Sequence, residues 1–227
     1  MPFQDLPRRL GEVRSRIDDA IGRGGHRQTV TIVAVTKTYG PEAPAAAWGA
    51  GVRDVGENKV QEALVKIPRV EAPLRWHLIG HLQRNKVRQV EPFHLIHSMD
   101  SARLADALAA YGASRDRPVD VLMQVNVSGE ETKGGYQPSA IEREGERLLS
   151  LKGLIVRGVM TMAPIDADER TLRAVFGGAR RCAGQLRAAG HPAVELSMGM
   201  SGDYEVAVEE GATLVRLGTV LFGARSA

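Results

Sequence analysis

The chain has 227 residues, 43% of them hydrophobic, and a formal net charge of +3 at pH 7. This length and apolar content allow a substantial core, and the mixed charges argue against intrinsic disorder. The mild positive charge is well short of a nucleic-acid footprint, and the single cysteine, Cys182, excludes an internal disulfide. No run approaches ~18 apolar residues, and the N-terminus lacks a signal-peptide core. We therefore expect a cytoplasmic protein that binds neither nucleic acid nor membrane.

In chain order, an N-terminal helix is followed by short apolar strands that alternate with longer amphipathic segments. Apolar residues at helical spacing from Leu6 to Ile21 predict the first helix, which the glycines of 22–25 end. Strands are predicted at 30–37, 52–55, 75–80, 94–99, 119–127, 155–162, 193–198 and 213–218. Helical segments are predicted at 41–50, 58–67, 82–90, 101–113, 138–150, 167–189 and 203–211, with a short one after Thr219.

This alternation predicts an α/β protein with a parallel sheet, because each return crossover needs a helix. Eight strands are the number that closes a (β/α)8 TIM barrel. A doubly wound open sheet competes, but the chain has no G-x-G-x-x-G after its first strand and no P-loop motif. We expect a single domain over 1–227, with the extra N-terminal helix in 1–25 and the barrel in 29–227.

Barrel chemistry gathers at the C-terminal ends of the strands, and the first strand ends at Lys37. Val30 to Lys37 is the most continuously apolar run of the chain, so the lysine is expected at the rim of a core. Burial there would disfavour the ammonium form and leave an amine that can attack an aldehyde. The alternative is a lysine whose stem lies along the strand while its head reaches water.

The loops after the seventh and eighth strands have the features of a phosphate site, which barrels often place there. The segment from Ser197 to Asp203 is a glycine-punctuated turn with hydroxyls and free backbone N–H groups, and Ser201 lies within it. The eighth strand ends at Gly218, where a missing side chain would let an oxyanion approach the backbone. Alternatively, Ser201 only caps a helix and Gly218 only makes a tight exit turn.

Arg216 is the single charge in the eighth strand and should share a face with Gly218. A guanidinium pointing into the barrel mouth needs an acceptor, for which a salt bridge to Glu195 is one alternative. An amine, phosphate donors and a buried arginine on one rim together match pyridoxal 5′-phosphate (PLP), which has an aldehyde, a phosphate and a ring nitrogen.

Several segments resemble the YggS/PROSC family of pyridoxal phosphate homeostasis proteins. The segments, in chain order across almost the whole sequence, are VTK at 35–37, GENKVQE at 56–62, WHLIGHLQRNK at 76–86, LSMGMS at 196–201 and VRLGTVLFG at 215–223. The resemblance implies a barrel like the N-terminal domain of alanine racemase, which is fold type III of the PLP proteins. One departure is that His81 and Arg84 stand where the family usually has proline and serine, which puts the local loop shape in doubt.

The resemblance also implies a role for each site residue. Lys37 would hold PLP as a Schiff base, Asn58 would lie beside the ring, and Arg216 would meet the pyridine nitrogen. Ser201 and the backbone of Gly218 and Thr219 would hold the phosphate. No metal site is expected, because the chain has neither an H-E-x-x-H motif nor paired C-x-x-C motifs.

The function implied is PLP homeostasis: a monomer without strong catalytic activity that stores PLP or delivers it to PLP-dependent apo-enzymes. A PLP-dependent amino-acid racemase is the alternative, and a class I aldolase is a weaker third. Racemases add a C-terminal domain that supplies a tyrosine as second base, whereas this chain ends at Ala227. Arg216 would also weaken the ring as an electron sink. Tyr39, His77 and Tyr204 stay open as a second acid–base group.

Overall fold

The computed structural model describes residues 3–130 and 133–223, and its centre is a closed barrel of eight parallel strands in sequential order. The barrel closes where the first strand pairs in parallel with the eighth. The strands are β1 Thr31–Val35, β2 Asp54–Glu57, β3 Arg75–Leu78, β4 Phe93–Met99, β5 Val119–Gln124, β6 Leu154–Met160, β7 Glu195–Ser197 and β8 Leu214–Leu217. The predicted TIM-barrel fold is thereby confirmed.

Helices surround the barrel. They are α1 Leu6–Gly24, α2 Glu42–Gly49, α3 Val60–Lys66, α4 Ala102–Ser114, α5 Ile141–Leu149, α6 Glu169–Ala189, α7 Tyr204–Glu209 and α8 Thr219–Phe222. Short 3₁₀ helices lie at Ile67–Arg69, Arg84–Gln89 and Pro138–Ala140. Among the described residues, no helix combines the length and apolar content needed to cross a membrane.

Several predicted strands are shorter in the structure, such as the fifth, predicted at 119–127, which ends at Gln124, and two segments differ in position or in type. The second strand was expected at 52–55 but lies at Asp54–Glu57. Val52 still belongs to the turn before it, since its N–H donates to the carbonyl of Ala47 at 2.9 Å. The helix expected at 82–90 is the six-residue 3₁₀ helix Arg84–Gln89. The chain is extended at Gln83, and Pro92 disfavours helical geometry just before it, so little length remains for an α-helix.

Helix α1 covers the outside of the barrel at α7 and α8. Its inward residues Leu6, Leu10, Val13, Ile17 and Ala20 are buried, as the helical spacing predicted. It ends where Gly25 adopts a left-handed conformation (φ 70°) and donates its N–H to Ile21, a geometry that favours glycine. Inside the barrel, a second apolar cluster comprises Val33, Leu95, Leu122, Met160 and Leu214.

Candidate functional site

A cavity of about 320 Å³ opens at the C-terminal ends of the strands. Its lining residues are Val35, Lys37, Tyr39, Asn58, Ile79, Met162, Met200, Ser201, Gly202, Arg216, Gly218 and Thr219. All the residues that the sequence marked for the cofactor therefore line one cavity. A larger cavity of about 420 Å³ lies at the opposite end of the barrel and includes Arg14, Arg53 and Arg75. Since none of the predicted site residues lines it, we place the candidate site in the smaller cavity.

Lys37 follows β1 by two residues and is half-buried on the cavity wall. The described part of the chain offers its amine neither a hydrogen bond nor an ion pair. The preceding residue is fixed, because the N–H of Thr36 donates to the carbonyl of Gly56 at 3.0 Å. The lysine thus leaves a rigid strand end with its amine available to a ligand.

A buried ion pair supports this strand end from outside the cavity. Lys66 Nζ on α3 lies 2.8 Å from Glu57 Oε1 and also donates to the carbonyl oxygen of Thr36 at 2.8 Å. The Thr36 hydroxyl donates to the same Glu57 oxygen at 2.5 Å. Burial raises the pKa of the Glu57 carboxyl, although Lys66 and Thr36 oppose that shift. These contacts are not predicted from the sequence, where their one sign is that Lys66 lies on the inward face of a helical segment.

Asn58 is positioned by close contact with a glycine. A Cβ at Gly80 would lie 2.3 Å from the carbonyl oxygen of Asn58 and 2.6 Å from its Oδ1, so no larger residue fits there. Gly80 is itself held by Ser98, whose hydroxyl donates to its carbonyl at 2.7 Å. The WHLIG segment, which forms most of β3 and the two residues after it, therefore fixes Asn58 against the cavity.

Ser201 joins the loops after β7 and β8. Its Oγ accepts from the backbone N–H groups of Gly218 and Val220, at 3.3 Å each. It lies two residues before Asp203, the N-cap position of α7, so it is not the cap of that helix. The hydroxyl hydrogen of Ser201 and the N–H of Thr219, which has no acceptor among the described residues, are donors suited to an anion.

Arg216 is 5% exposed and its guanidinium donates to Ser197 Oγ at 2.6 Å and to the carbonyl oxygen of Thr161 at 3.0 Å. The alternative partner Glu195 instead accepts from the Thr213 hydroxyl. No carboxylate among the described residues forms a salt bridge with Arg216. Burial lowers the pKa of Arg216 to about 10, and Asp203 opposes this only in part.

The hydrogen-bonding needs of the Arg216 guanidinium indicate whether the cavity suits PLP. A buried cation without a counter-ion is costly unless a further acceptor reaches it. A guanidinium can only donate hydrogen bonds, so its complement must be an acceptor. An unprotonated pyridine nitrogen is such an acceptor, and Ser201 and Thr219, which offer hydrogen-bond donors to a phosphate, line the same cavity. The residues fit the cofactor.

Of the three residues left open as a second acid–base group, Tyr39 alone lines the cavity. Its ring packs against Phe3 and Phe222, with centroids 5.4 Å away in each case. His77 is 2% exposed and is hydrogen-bonded in the barrel interior, as expected for a core histidine. Tyr204 is buried outside the cavity lining.

The two residues that depart from the family motif also lie outside the cavity lining. The side chain of His81 is 69% exposed and pairs with Asp100 at 2.9 Å. Arg84 begins the 3₁₀ helix after β3. The departures therefore change the loop beside the site and leave its lining intact.

Known proteins resemble this chain over almost its whole length. The family model of the alanine racemase N-terminal domain matches residues 12–226. The pyridoxal phosphate homeostasis protein of Aquifex aeolicus is 40% identical over 221 residues, which cover 96% of this chain and 97% of the relative. That of Pseudomonas aeruginosa is 40% identical over 219 residues, which cover 95% and 94%.

A solved structure of PipY from Synechococcus elongatus with PLP bound superimposes with a TM-score of 0.85 at 36% identity, covering 96% of this chain and all of PipY. An alanine racemase from Clostridium difficile, 15% identical, shares the fold alone, with a TM-score of 0.76 and coverage of 99% of this chain and 57% of the racemase. The resemblance seen in the motifs is thus confirmed over the whole barrel. The chain belongs to the family of pyridoxal phosphate homeostasis proteins.

Proposed function

We propose that the chain binds PLP in the 320 Å³ cavity and acts in PLP homeostasis as a carrier that stores the cofactor or delivers it to apo-enzymes. The observation that carries the proposal is the buried guanidinium of Arg216, which has no carboxylate partner among the described residues and lines the same cavity as the amine of Lys37. PLP binding in the related PipY and the names of the curated relatives support it.

Each predicted residue has one task in this proposal. PLP supplies an aldehyde that condenses with a lysine amine, together with an electron-withdrawing ring. Lys37 provides the amine, Asn58 bounds the ring, and Arg216 donates a hydrogen bond to the ring nitrogen. Ser201 and the backbone N–H groups of Gly218 and Thr219 bind the phosphate.

A carrier fits the lining better than a racemase does. Racemisation needs a base on each face of the substrate carbon and a ring that accepts electrons. Apart from Lys37 and Arg216, Tyr39 is the one side chain among the described lining residues that could exchange a proton with a substrate, and aromatic rings flank it. The permanently charged Arg216 keeps the ring nitrogen unprotonated and weakens it as an electron sink. We propose further that the carrier is a monomer.

The test is covalent trapping. Wild-type protein incubated with PLP should become yellow, and borohydride reduction should leave a phosphopyridoxyl group on the peptide that contains Lys37. Lys37→Ala should abolish that adduct and keep the circular dichroism spectrum, because a half-buried lysine contributes little to the core. Lys59→Ala, an exposed lysine of the next loop, is the matched control. An adduct of equal yield on another lysine in Lys37→Ala would refute the assignment.

The same protein with PLP bound tests whether the chain is a carrier or a racemase. After long incubation with L-alanine, chiral chromatography should detect little or no D-alanine. Turnover above about 1 s⁻¹, the low end of ordinary enzymes, would contradict the carrier role and favour the racemase alternative.

A further inference from the structure

A row of buried polar side chains crosses the barrel interior from the cofactor cavity to the opposite end. Arg216 Nη1 donates to Ser197 Oγ at 2.6 Å, and that oxygen lies 2.8 Å from His97 Nδ1. His97 Nε2 lies 2.9 Å from His77 Nδ1, and His77 Nε2 lies 2.9 Å from Asp54 Oδ1. Each of the five residues belongs to a barrel strand, and none of them is more than 5% exposed. We name these residues the polar row.

The polar row ends at an ion pair on the far side of the barrel. Both carboxylate oxygens of Asp54 accept from Arg75, at 2.7 and 2.6 Å. The side chain of Arg75 is 52% exposed, and both residues line the 420 Å³ cavity at the N-terminal ends of the strands. A continuous set of hydrogen-bonding contacts therefore joins solvent at one end of the barrel to Arg216 at the other.

The chemistry of the two ends restricts the directions that the hydrogen bonds between them can take. A guanidinium can only donate, and an ionised carboxylate can only accept. Ser197 Oγ accepts from Arg216, so its single hydrogen is free to go to Nδ1 of His97. His97 then carries its proton on Nε2 and donates to Nδ1 of His77. His77 likewise donates from Nε2 to Asp54. In this arrangement each histidine carries a single ring proton, on Nε2, and each member of the polar row donates toward Asp54.

The opposite direction requires an extra proton and leaves a group unsatisfied. A proton added to His77 would make it donate to His97, which would then donate to Ser197. The Ser197 hydroxyl, already an acceptor for Arg216, would have no described acceptor for its own hydrogen, and leaving such a group unpaired is costly.

The surrounding charges also disfavour that extra proton. Burial lowers the pKa of His97 well below its usual value, and His77, Arg216 and His94 act in the same direction. The groups facing His77 are Asp54 from β2 and the rings of His94 and His97 from β4, with Arg75 on its own strand. Asp54 is the one anion among them, and it is already paired with Arg75.

We propose that Ser197, His97 and His77 are positioning residues that hold Arg216 as a donor toward the cofactor, with Asp54 as the terminal acceptor. The proposal rests on the proposed function in that PLP is the group that Arg216 meets. A residue that donates a hydrogen bond becomes a better acceptor for the residue before it in the polar row. The negative charge of Asp54 therefore strengthens the hydrogen bond that Ser197 accepts from the guanidinium of Arg216. The charge at the N-terminal end of the barrel therefore influences cofactor affinity at the other end.

The first arm of the test needs no cofactor. In ¹⁵N-histidine-labelled wild-type protein without PLP, the ring nitrogens of His77 and His97 should both show the neutral tautomer with the proton on Nε2 at about pH 7. His77→Gln and His97→Phe assign the two sets of signals. A cationic His97, or a proton on its Nδ1, would overturn the direction of the polar row.

The second arm measures PLP affinity. Asp54→Asn keeps the shape of the side chain and removes its charge, and it should weaken PLP binding about tenfold, the loss expected when a hydrogen bond to a charged group is weakened. His97→Phe should do the same. His191→Phe, which removes a buried histidine bonded to the carbonyl of Gly145 outside the barrel interior, is the control and should bind as the wild type does.

The outcomes separate this proposal from the function on which it rests. Wild-type affinity in Asp54→Asn would overturn the positioning role, even if His97→Phe fails to fold. Wild-type protein that binds no PLP would refute the proposed function and the cofactor role of the polar row, while the tautomer spectra would still decide the direction of its hydrogen bonds.

Discussion

Thr38 follows the candidate Schiff-base lysine with a φ of 69°, in the left-handed region that β-branched residues rarely adopt. Such a conformation costs of order 1–3 kcal/mol and persists only where its surroundings impose it. Here the chain turns directly after the strand end that presents Lys37, and the N–H of Tyr39 donates back to the carbonyl of Thr36 at 3.2 Å. The turn therefore carries strain one residue from the proposed chemistry.

We expect Thr38→Asn to raise the free energy of unfolding by about 1 kcal/mol, because asparagine tolerates the left-handed region better than threonine does. Urea denaturation of the protein without PLP measures the change. Thr29→Asn is the control, since Thr29 is also exposed but has a negative φ, and it should change stability little. Equal effects of the two substitutions would show that the turn at Thr38 is unstrained.

At the scale of elements, the ion pair between Lys66 and Glu57 joins α3 to β2 and, through Thr36, to β1. The Lys66 and Glu57 side chains are 8% and 0% exposed, and Glu57 Oε2 has no described partner. A buried pair contributes little net stability compared with an apolar pair, but removal of one member leaves a buried charge. The structure therefore predicts an asymmetric response to substitution.

Lys66→Met should lower the free energy of unfolding by about 3 kcal/mol or more, because the Glu57 carboxylate loses its cation. The double variant Lys66→Met, Glu57→Leu should recover most of that loss, and urea denaturation of the two variants completes the comparison. Lys59→Met, which breaks an exposed pair with Glu62, should cost less than about 0.5 kcal/mol. A double variant less stable than Lys66→Met would contradict the argument.

The order and number of these elements could be predicted from the sequence, because alternation of apolar strands with helical spacing is a local signal. That Lys37, Asn58, Ser201 and Arg216 line one cavity could be predicted, because barrel chemistry lies at strand ends. Their roles toward a cofactor came from the family resemblance and stay a prediction. The contact of Lys66 with the strand end beside Lys37 could not be predicted. A lysine in a helical segment is expected to extend its amine to water unless a buried acceptor is known.

The polar row escaped prediction for a related reason. Its members come from β2, β3, β4, β7 and β8 and span residues 54–216, and no spacing along the chain marks them as neighbours. A histidine such as His97 within an apolar strand predicts a hydrogen-bonded core residue and nothing about its partner. Strand order and register had to be fixed before the contacts could be identified.

On the scale of the whole molecule, the barrel interior contains two groups of side chains, one apolar and one polar. One part is the apolar cluster that contains Val33, Leu122 and Met160, and the other is the polar row. The polar row is fully paired while its histidines are neutral, and a half-satisfied network would be worse than an apolar core. Protonation of one buried group should therefore affect the stability of the entire barrel.

This coupling predicts how stability depends on pH. Because burial lowers the pKa of His97 well below its usual 6.5, the unfolded chain binds a proton near pH 6.5 that the folded chain does not. The free energy of unfolding should therefore fall as the pH decreases below 6.5, by about 1.4 kcal/mol per pH unit for one such group, until the pH reaches the pKa of the folded state. The lowered pKa of His94 acts in the same direction, whereas the raised pKa of Glu57 acts in the opposite direction above its usual 4.5.

Because several groups titrate in this range, the contribution of His97 is isolated by difference. Urea unfolding of wild type and His97→Phe at a series of pH values between about 7 and 5 gives the slope of the free energy of unfolding against pH for each protein. The slope of the variant should be smaller by about 1.4 kcal/mol per pH unit, the value for one proton. His191→Phe, which removes a buried histidine that lies outside the barrel interior, serves as the control. Parallel slopes for wild type and His97→Phe would mean that the folded barrel accepts a proton at His97 as readily as the unfolded chain does, which the pairing of Ser197 with Arg216 opposes.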